Sequence, residues 1–446
     1  MTAASSPKHV VLAYSGGLDT TIILHWLKQK GYRVTAFLAN IGQKTEDLKL
    51  IEARARRTGA SDFIAEDLAD KLLTDFFAPA LIAHCQYEGR YLLGTSIARP
   101  LIAQAQIQAA HRVGAHAVAH GATGKGNDQV RFELAYQALD PQMSILPIWR
   151  DPEFIREFAD GRKSMLAYAE KHGLEVKATT KMPWSSDDNR LHISYEAGIL
   201  EDPWLSAPRA LFERMVHPLD APNTPTTVII EWQQGFPVAV YETIAKEGQT
   251  AEHLTVTLFD RGKPLAQGFP QVFDWIDQKA AENGIGAQGM VETRYVGMKS
   301  RGEYHAPGHT VLLKAHYDIE SLCLTGSLIQ EKEKRMPEFA AMIYNGHWFD
   351  PACLAMKQFY LGTQEWVSGE TRVSLYKGNV FLEGRRSPYS LYSPQVASMD
   401  GDGPLYRQED ASGFIRLHSL PLRAVHLARQ LRTQQPSARG DNGKLL

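Results

Sequence analysis

Apolar positions in the first 180 residues follow two periods. Short continuous runs read as buried strands: His9 to Ala13, Arg33 to Asn40, Asp62 to Ala65 and Ala115 to His120. Between them the apolar residues recur at helical spacing. Ile22, Ile23, Trp26 and Leu27 do so within Leu18 to Lys30. Further helices are expected from Glu46 to Thr58 with Gly59 as stop, from about Leu68 to His84, and from Ile97 to Val113 before Gly114. Alternating strands and helices predict an α/β fold, a Rossmann-like parallel sheet covered on both faces.

The pattern changes near Lys181. Trp184 to Asn189 reads as a polar connection, and Pro203, Pro208, Pro218, Pro222 and Pro225 break up the next stretch of chain. Paired strands are then expected at Thr226–Trp232 with Val238–Tyr241, at Leu254–Phe259, at Val291–Gly297, and as a hairpin at Val373–Tyr376 with Val380–Glu383. Helices are expected at Phe273–Asn283, Val311–Thr325 and Leu328–Tyr344. This predicts an α+β second domain. Leu420, Ala424, Leu427 and Leu431 share one helical face near the end, and Thr433 to Leu446 reads as a polar, disordered tail. The expected domains are 1–180, 181–410 and 411–446, the last a helical arm suited to packing on another subunit or on its own chain.

Strand-to-helix connections carry the chemistry. Gly16 and Gly17 let the turn Ala13-Tyr14-Ser15-Gly16-Gly17-Leu18-Asp19-Thr20-Thr21 curl its N–H groups into one concavity at a helix start, with the Ser15, Thr20 and Thr21 hydroxyls beside them. Such a turn suits a phosphate, although a Gly-rich turn with an Asp near a helix start is also a common structural feature. The G-x-x-x-x-G-K-[ST] pattern is absent. Gly121 to Asp128 holds three glycines around Lys125 and ends in Asn127-Asp128, which read as a ligand loop, a helix cap, or both. Tyr87 to Ser96 leads into a helix start flanked by Arg90 and Arg99. There Thr95 or Ser96 reads as a cap, and the start also suits a carboxylate. Ser15–Thr21, Ala39-Asn40 and Gly121–Asp128 all lie at the expected C-terminal strand ends, where such sheets bind ligands.

Composition narrows the classes. The chain has 446 residues, 44% hydrophobic and 22% charged, with 48 Lys+Arg against 50 Asp+Glu and a net charge of −2. This suits two or three globular domains, and it lacks the basic excess of a nucleic-acid binder. Cys85, Cys323 and Cys353 are widely spaced, which predicts buried thiols rather than a disulfide framework or zinc site. Met1 to Pro7 lacks a signal-peptide core, and no apolar run approaches the roughly 20 residues of a membrane helix. A cytoplasmic protein with no membrane partner is expected.

The S-G-G-x-D-[ST] turn resembles the PP-loop of the adenine-nucleotide α-hydrolase superfamily. Taken in order, Ala13–Thr21, Leu38–Gln43, Tyr91–Pro100, His120–Leu134, His192–Pro203 and Val296–Gly302 are similar to the argininosuccinate synthase family, over about Val10 to Leu422. The resemblance implies an ATP-binding PP-loop domain followed by a synthetase domain. It implies that citrulline and aspartate are joined while ATP gives AMP and pyrophosphate, through a citrullyl-AMP intermediate. Mg²⁺ would arrive on the ATP phosphates, without a protein metal cage, and the assembly would be a homotetramer.

The same resemblance assigns ATP to Ala13, Tyr14, Ser15, Gly16, Gly17, Leu18, Asp19, Thr20, Thr21, Ala39 and Gly121. It assigns aspartate to Thr123, Asn127 and Asp128, and citrulline to Tyr91, Ser96, Asn127, Arg131, Ser185, Ser194, Glu292 and Tyr304. The side chains fit: Asp128 can accept from an ammonium, Arg131 can fork onto a carboxylate, and Glu292 can meet an amine. The departures from the family pattern are Thr21 for the usual Ser, Asp188 for Glu, and Glu303 and His305-Ala306 around Tyr304. The competing readings are another adenylating PP-loop enzyme and a non-catalytic ATP sensor. The first commonly needs a sulfur-transfer cysteine or an ammonia-supplying domain, and Cys85 is expected inside a helix. The second leaves the later polar motifs unused.

Overall fold

The computed structural model describes residues 8–44, 47–124, 126–176, 184–249, 255–397 and 407–434. Glu46, Lys125 of the glycine loop, Lys181, Leu254, Met1 to Pro7 and the tail beyond Gln434 lie outside the described residues. Strands β1 (His9–Ala13), β2 (Arg33–Asn40), β3 (Asp62–Asp67), β4 (Ala117–Ala119) and β5 (Ser144–Leu146) form one sheet in the order β3-β2-β1-β4-β5. All its neighbours are parallel. Val10, Val11, Leu12, Val34 and Val118 are fully buried, as strands covered on both faces require. Strand order reverses between β1 and β4, so the crevice of the sheet opens at their C-terminal ends. β5 has only three residues, too short to show a period.

Most expected helices appear with shifted ends: Leu18–Gln29, Leu48–Thr58, Gly94–Arg112 and Asp128–Leu139. The run from Leu68 to His84 is instead broken into Ala69–Lys71, a π-helical turn Leu72–Phe77 and Ala78–Ile82. The wider turn brings Phe76 onto Trp348 at 5.0 Å and Phe77 against Phe273 at 5.4 Å, so both adjacent rings reach the core. Cys85 therefore follows the helix rather than lying inside it. Like Cys323 and Cys353 it is buried with a free thiol.

The later strands are β6 (Ser185–Asp188), β7 (Ile193–Glu196), β8 (Thr226–Gln233), β9 (Phe236–Gln249), β10 (Thr255–Gln267), β11 (Ala287–Thr293), β12 (Lys299–His305), β13 (Gly369–Tyr376) and β14 (Asn379–Arg386). They form two antiparallel sheets, β10-β9-β8-β13-β14 and β11-β12-β7-β6. The polar stretch after Trp184 is thus an edge strand and not a connection. It carries no apolar alternation because it covers no core. The strand expected at Val291–Gly297 lies earlier, since Gly297 at φ +92° makes the turn after it. Helices Phe269–Glu282, Pro307–Cys323 and Gly326–Tyr344 cover this part.

The chain divides into two compact units, one ending at Tyr389 and one beginning at Ser390. In the first, the most extensive apolar cluster runs from Val11 and Phe37 through Phe77 and Phe273 to Trp232 and Val373, so residues on both sides of 180 bury one another. The second unit carries the helices Asp410–His418 and Leu420–Gln434. Thr433 belongs to the last helix rather than to the tail. Leu420, Leu427 and Leu431 are exposed there. Among the described residues, no helix is long and apolar enough to cross a membrane.

Candidate active site

A cleft of about 560 Å³ opens at the β1/β4 reversal. Its floor starts with the turn after β1. Tyr14 N donates to Phe37 O at 2.8 Å, tying the turn to β2. Gly16 sits at φ +75° and its carbonyl accepts from Arg54 at 2.9 Å, so the chain bends where a side chain would be strained. Gly17 caps the Leu18–Gln29 helix without a side-chain hydrogen bond to the helix. The first-turn N–H groups and the positive helix end therefore lack a side-chain cap. Ser15 Oγ lies 3.2 Å from Thr20 Oγ1, and both residues line the cleft with Asp19. Burial raises the Asp19 carboxyl above its ordinary range.

Thr21 departs from the expected role. It is fully buried, its hydroxyl lies 3.3 Å from the Tyr14 hydroxyl, and it does not line the cleft. Ala39 lines the wall at the end of β2, where its carbonyl accepts from Gln43 Nε2 at 2.9 Å. Gly121 faces it from the end of β4. A Cβ there would come within 3.0 Å of the Thr20 methyl, so glycine lets the two loops close together.

Asn127 to Arg131 form the next wall. Asn127 is not a side-chain cap: its Nδ2 donates to the Tyr344 hydroxyl at 2.9 Å and its Oδ1 accepts from Tyr295 N at 2.9 Å. Asp128 accepts from Arg131 at 2.7 Å and from Arg99 at 2.9 Å. Burial opposes its ionisation, but the two guanidiniums outweigh burial and bring the carboxyl down to about 2. Arg131 also donates to the Tyr344 carbonyl at 2.8 Å and lies over that tyrosine ring. Thr123 is exposed on the loop above.

The opposite wall comes from β6, β7, β11 and β12. Arg99 bridges to it, donating to Asp187 Oδ2 at 2.6 Å. Thr95 donates to the same oxygen at 3.0 Å. Burial raises the Asp187 carboxyl, and the Arg99 charge works against that rise. Ser194, Glu292 and Tyr304 line this wall, and Tyr91 faces Tyr304 with ring centroids 4.4 Å apart. Burial pushes the Tyr91 phenol up to about 12. Glu292 is buried, its Oε2 has no hydrogen-bond partner, and burial raises its carboxyl, opposed first by the Tyr344 hydroxyl and then by Arg131.

Two residues expected to meet citrulline stand apart from the cleft. Ser96 is fully buried with its Oγ unpartnered, and Ser185 is exposed on β6 while its neighbour Ser186 lines the wall. Gly16, Gly17 and Leu18 shape the turn without lining the space. Glu303 does not charge the site. It pairs with Arg301 at 2.8 Å on the face of β12 opposite Tyr304. His305 is buried between Tyr195 and Phe212.

Sequence reasoning named Arg99 only as a flank of a helix start suited to a carboxylate, and it missed Asp187, Glu196, Arg294 and Tyr344. Arg99 stands four residues after Thr95, on the same face of a helix, which lets both reach Asp187. Arg294 donates to Glu196 at 2.6 Å beside the cleft, a partnership that only the β11–β12–β7 pairing creates.

Residues 9–175 match the family model "Arginosuccinate synthase N-terminal HUP domain", and residues 184–425 match "Arginosuccinate synthase C-terminal domain". The chain is 46% identical over 414 residues to an argininosuccinate synthase of Danio rerio, covering 93% of this chain and 95% of that one. It is 44% identical over 422 residues to one of Homo sapiens, covering 95% and 98%. It is also 44% identical over 421 residues to one of Thermotoga maritima, covering 94% and 98%. With both family models laid end to end across one cleft, the chain belongs to the argininosuccinate synthase family and is an enzyme, a ligase that uses ATP.

Proposed function

We propose that the enzyme is a carbon–nitrogen ligase joining citrulline to aspartate while ATP leaves as AMP and pyrophosphate. The observation that carries this is the meeting, in one cleft, of the uncapped helix start after Ser15-Gly16-Gly17 with the arginine–carboxylate wall around Asp128. ATP lies along Ala13 to Thr21, Ala39 and Gly121. The turn amides take the β- and γ-phosphates, and Thr21 acts by locking Tyr14 rather than by touching nucleotide. The citrulline ureido oxygen attacks the α-phosphorus, the bond to the bridging oxygen breaks, and pyrophosphate departs. The aspartate amine then attacks the ureido carbon, loses a proton, and AMP leaves.

Citrulline lies between Tyr91, Ser194, Glu292, Tyr304 and Arg131, with the unpartnered Glu292 Oε2 facing its ammonium. Ser96 and Ser185 support this wall from behind and beside it. Thr123 and Asp128 meet aspartate, while Asn127 holds Tyr344 and the Tyr295 backbone in place. Orientation and preset charge supply most of the rate, since no covalent nucleophile is required. Mg²⁺ neutralises phosphate charge when it is bound. Among the described residues the cleft holds no cage for it, and Asp19 with phosphate oxygens and water suits its ligand preference. We further propose ATP binding in residues 1–180, amino-acid binding shared between 1–180 and 181–410, a cytoplasmic setting, and a homotetramer assembled through the exposed leucines of 411–446.

Three measurements test this reading. With ¹⁸O in the citrulline ureido group, the label passes into AMP, and AMP forms only when citrulline is present; label-free AMP excludes the adenylation route. The raised Glu292 carboxyl takes up a proton at a higher pH than an ordinary glutamate. Citrulline kcat/KM therefore falls on acidification earlier than an ordinary carboxylate dictates, and Glu292→Gln removes that limb at the cost of about 10- to 100-fold in affinity. A pH profile unchanged in the variant contradicts the assignment. Light scattering gives the mass of four chains, and a single peak at monomer mass removes the arm's proposed role.

A further inference from the structure

A second cavity, of about 320 Å³, lies in the unit ending at Tyr389, between the Pro307–Cys323 and Gly326–Tyr344 helices and the segment from Ala83 to Gln86. It shares no lining residue with the cleft. Its walls are mainly apolar, formed by Ala83, Leu313, Ile329, Met336 and Leu382, with Gln86, Lys314, Tyr317 and Glu333 also lining it, and its base holds His84, Glu320 and Lys332. The volume is within the range of small-molecule sites, and apolar walls with a few converging polar groups are their usual lining.

The base is wired in one direction. Gln364 Nε2 donates to Glu320 Oε1 at 2.6 Å and to Thr363 Oγ1 at 2.9 Å. Its carbonyl oxygen is thereby left to accept from His316 Nε2 at 3.0 Å. His316 then carries its proton on Nε2, and its Nδ1 accepts from His84 Nε2 at 2.8 Å. Burial holds both imidazoles well below their ordinary range, and the Lys332 charge adds to this, so both are neutral. The remaining nitrogen of His84, Nδ1, is an acceptor that no described residue donates to.

His84 reaches this position at a cost. It stands at φ +54°, in the left-handed region that a residue with a Cβ avoids. Lys332, buried beneath the cavity, donates to Glu320 and to the Ile82 carbonyl at 3.1 Å. The two imidazoles hydrogen-bond directly to each other and the ammonium sits beside Glu320, so this base suits a hydrogen-bonding ligand better than a cation.

We propose that this cavity is a binding site for a small, mainly apolar molecule carrying one hydroxyl or N–H donor, which the donor-free nitrogen of His84 receives. A ligand of that class covers Leu313, Ile329 and Met336 and supplies a donor to His84 Nδ1. The site stands whether or not the substrate assignment of the cleft does.

Calorimetric titration of the full chain with indole and with benzothiophene tests it, because the two share a shape and only indole has an N–H. Indole binds one per chain, benzothiophene binds roughly tenfold or more weakly, and Leu382→Trp, which fills the mouth, removes indole binding while ATP turnover continues. Equal binding of the two probes, no binding of indole, or indole binding that survives Leu382→Trp overturns the proposal.

Discussion

Arg99 holds the two walls of the cleft together. Its guanidinium, 12% exposed, sits between Asp128 at the head of one helix and Asp187 on the edge strand β6. Without it two half-buried carboxylates would face each other, and Asp187 already meets the charge of Asp128. The helix between β4 and β5 of the parallel sheet contributes Asp128 and the later antiparallel sheet contributes Asp187, so one side chain registers the two halves against each other. The continuous core from Val11 to Val373 makes that register rigid.

Around this bridge the charges divide by task. On the turn side, backbone amides, the start of the Leu18–Gln29 helix and small hydroxyls form a surface that favours phosphate oxygens. On the far side, Arg131, Glu292, Tyr91 and Tyr304 form a partly desolvated wall with opposite charges close together, suited to a zwitterionic amino acid. Bringing the two surfaces within one cleft sets a poorly nucleophilic ureido oxygen beside a phosphorus atom. That is where most of the catalytic gain in such a reaction arises.

The parallel sheet was legible because its signals are local: a buried run, a glycine turn and an apolar helix face within about 20 residues. The loop after β4 was legible for the same reason. The features that tertiary packing decides were not. The Thr21 hydroxyl reads as a ligand group until the fold turns it onto Tyr14. The polar edge strand β6 has no alternation to betray it, so Asp187 passed for linker. Asn127 reads as a cap, yet its amide is spent on Tyr344 and Tyr295, which lie more than 160 residues away in sequence. The π-helical turn at Leu72–Phe77 shifts the helical period by one residue, which a spacing argument cannot anticipate.

A crystal structure with a non-hydrolysable ATP analogue and citrulline tests the central claim most directly. The account predicts the β- and γ-phosphates within hydrogen-bond distance of the backbone N–H groups from Ser15 to Thr20, with the ureido oxygen facing the α-phosphorus from the Tyr91–Arg131 side. A triphosphate seated anywhere else contradicts it.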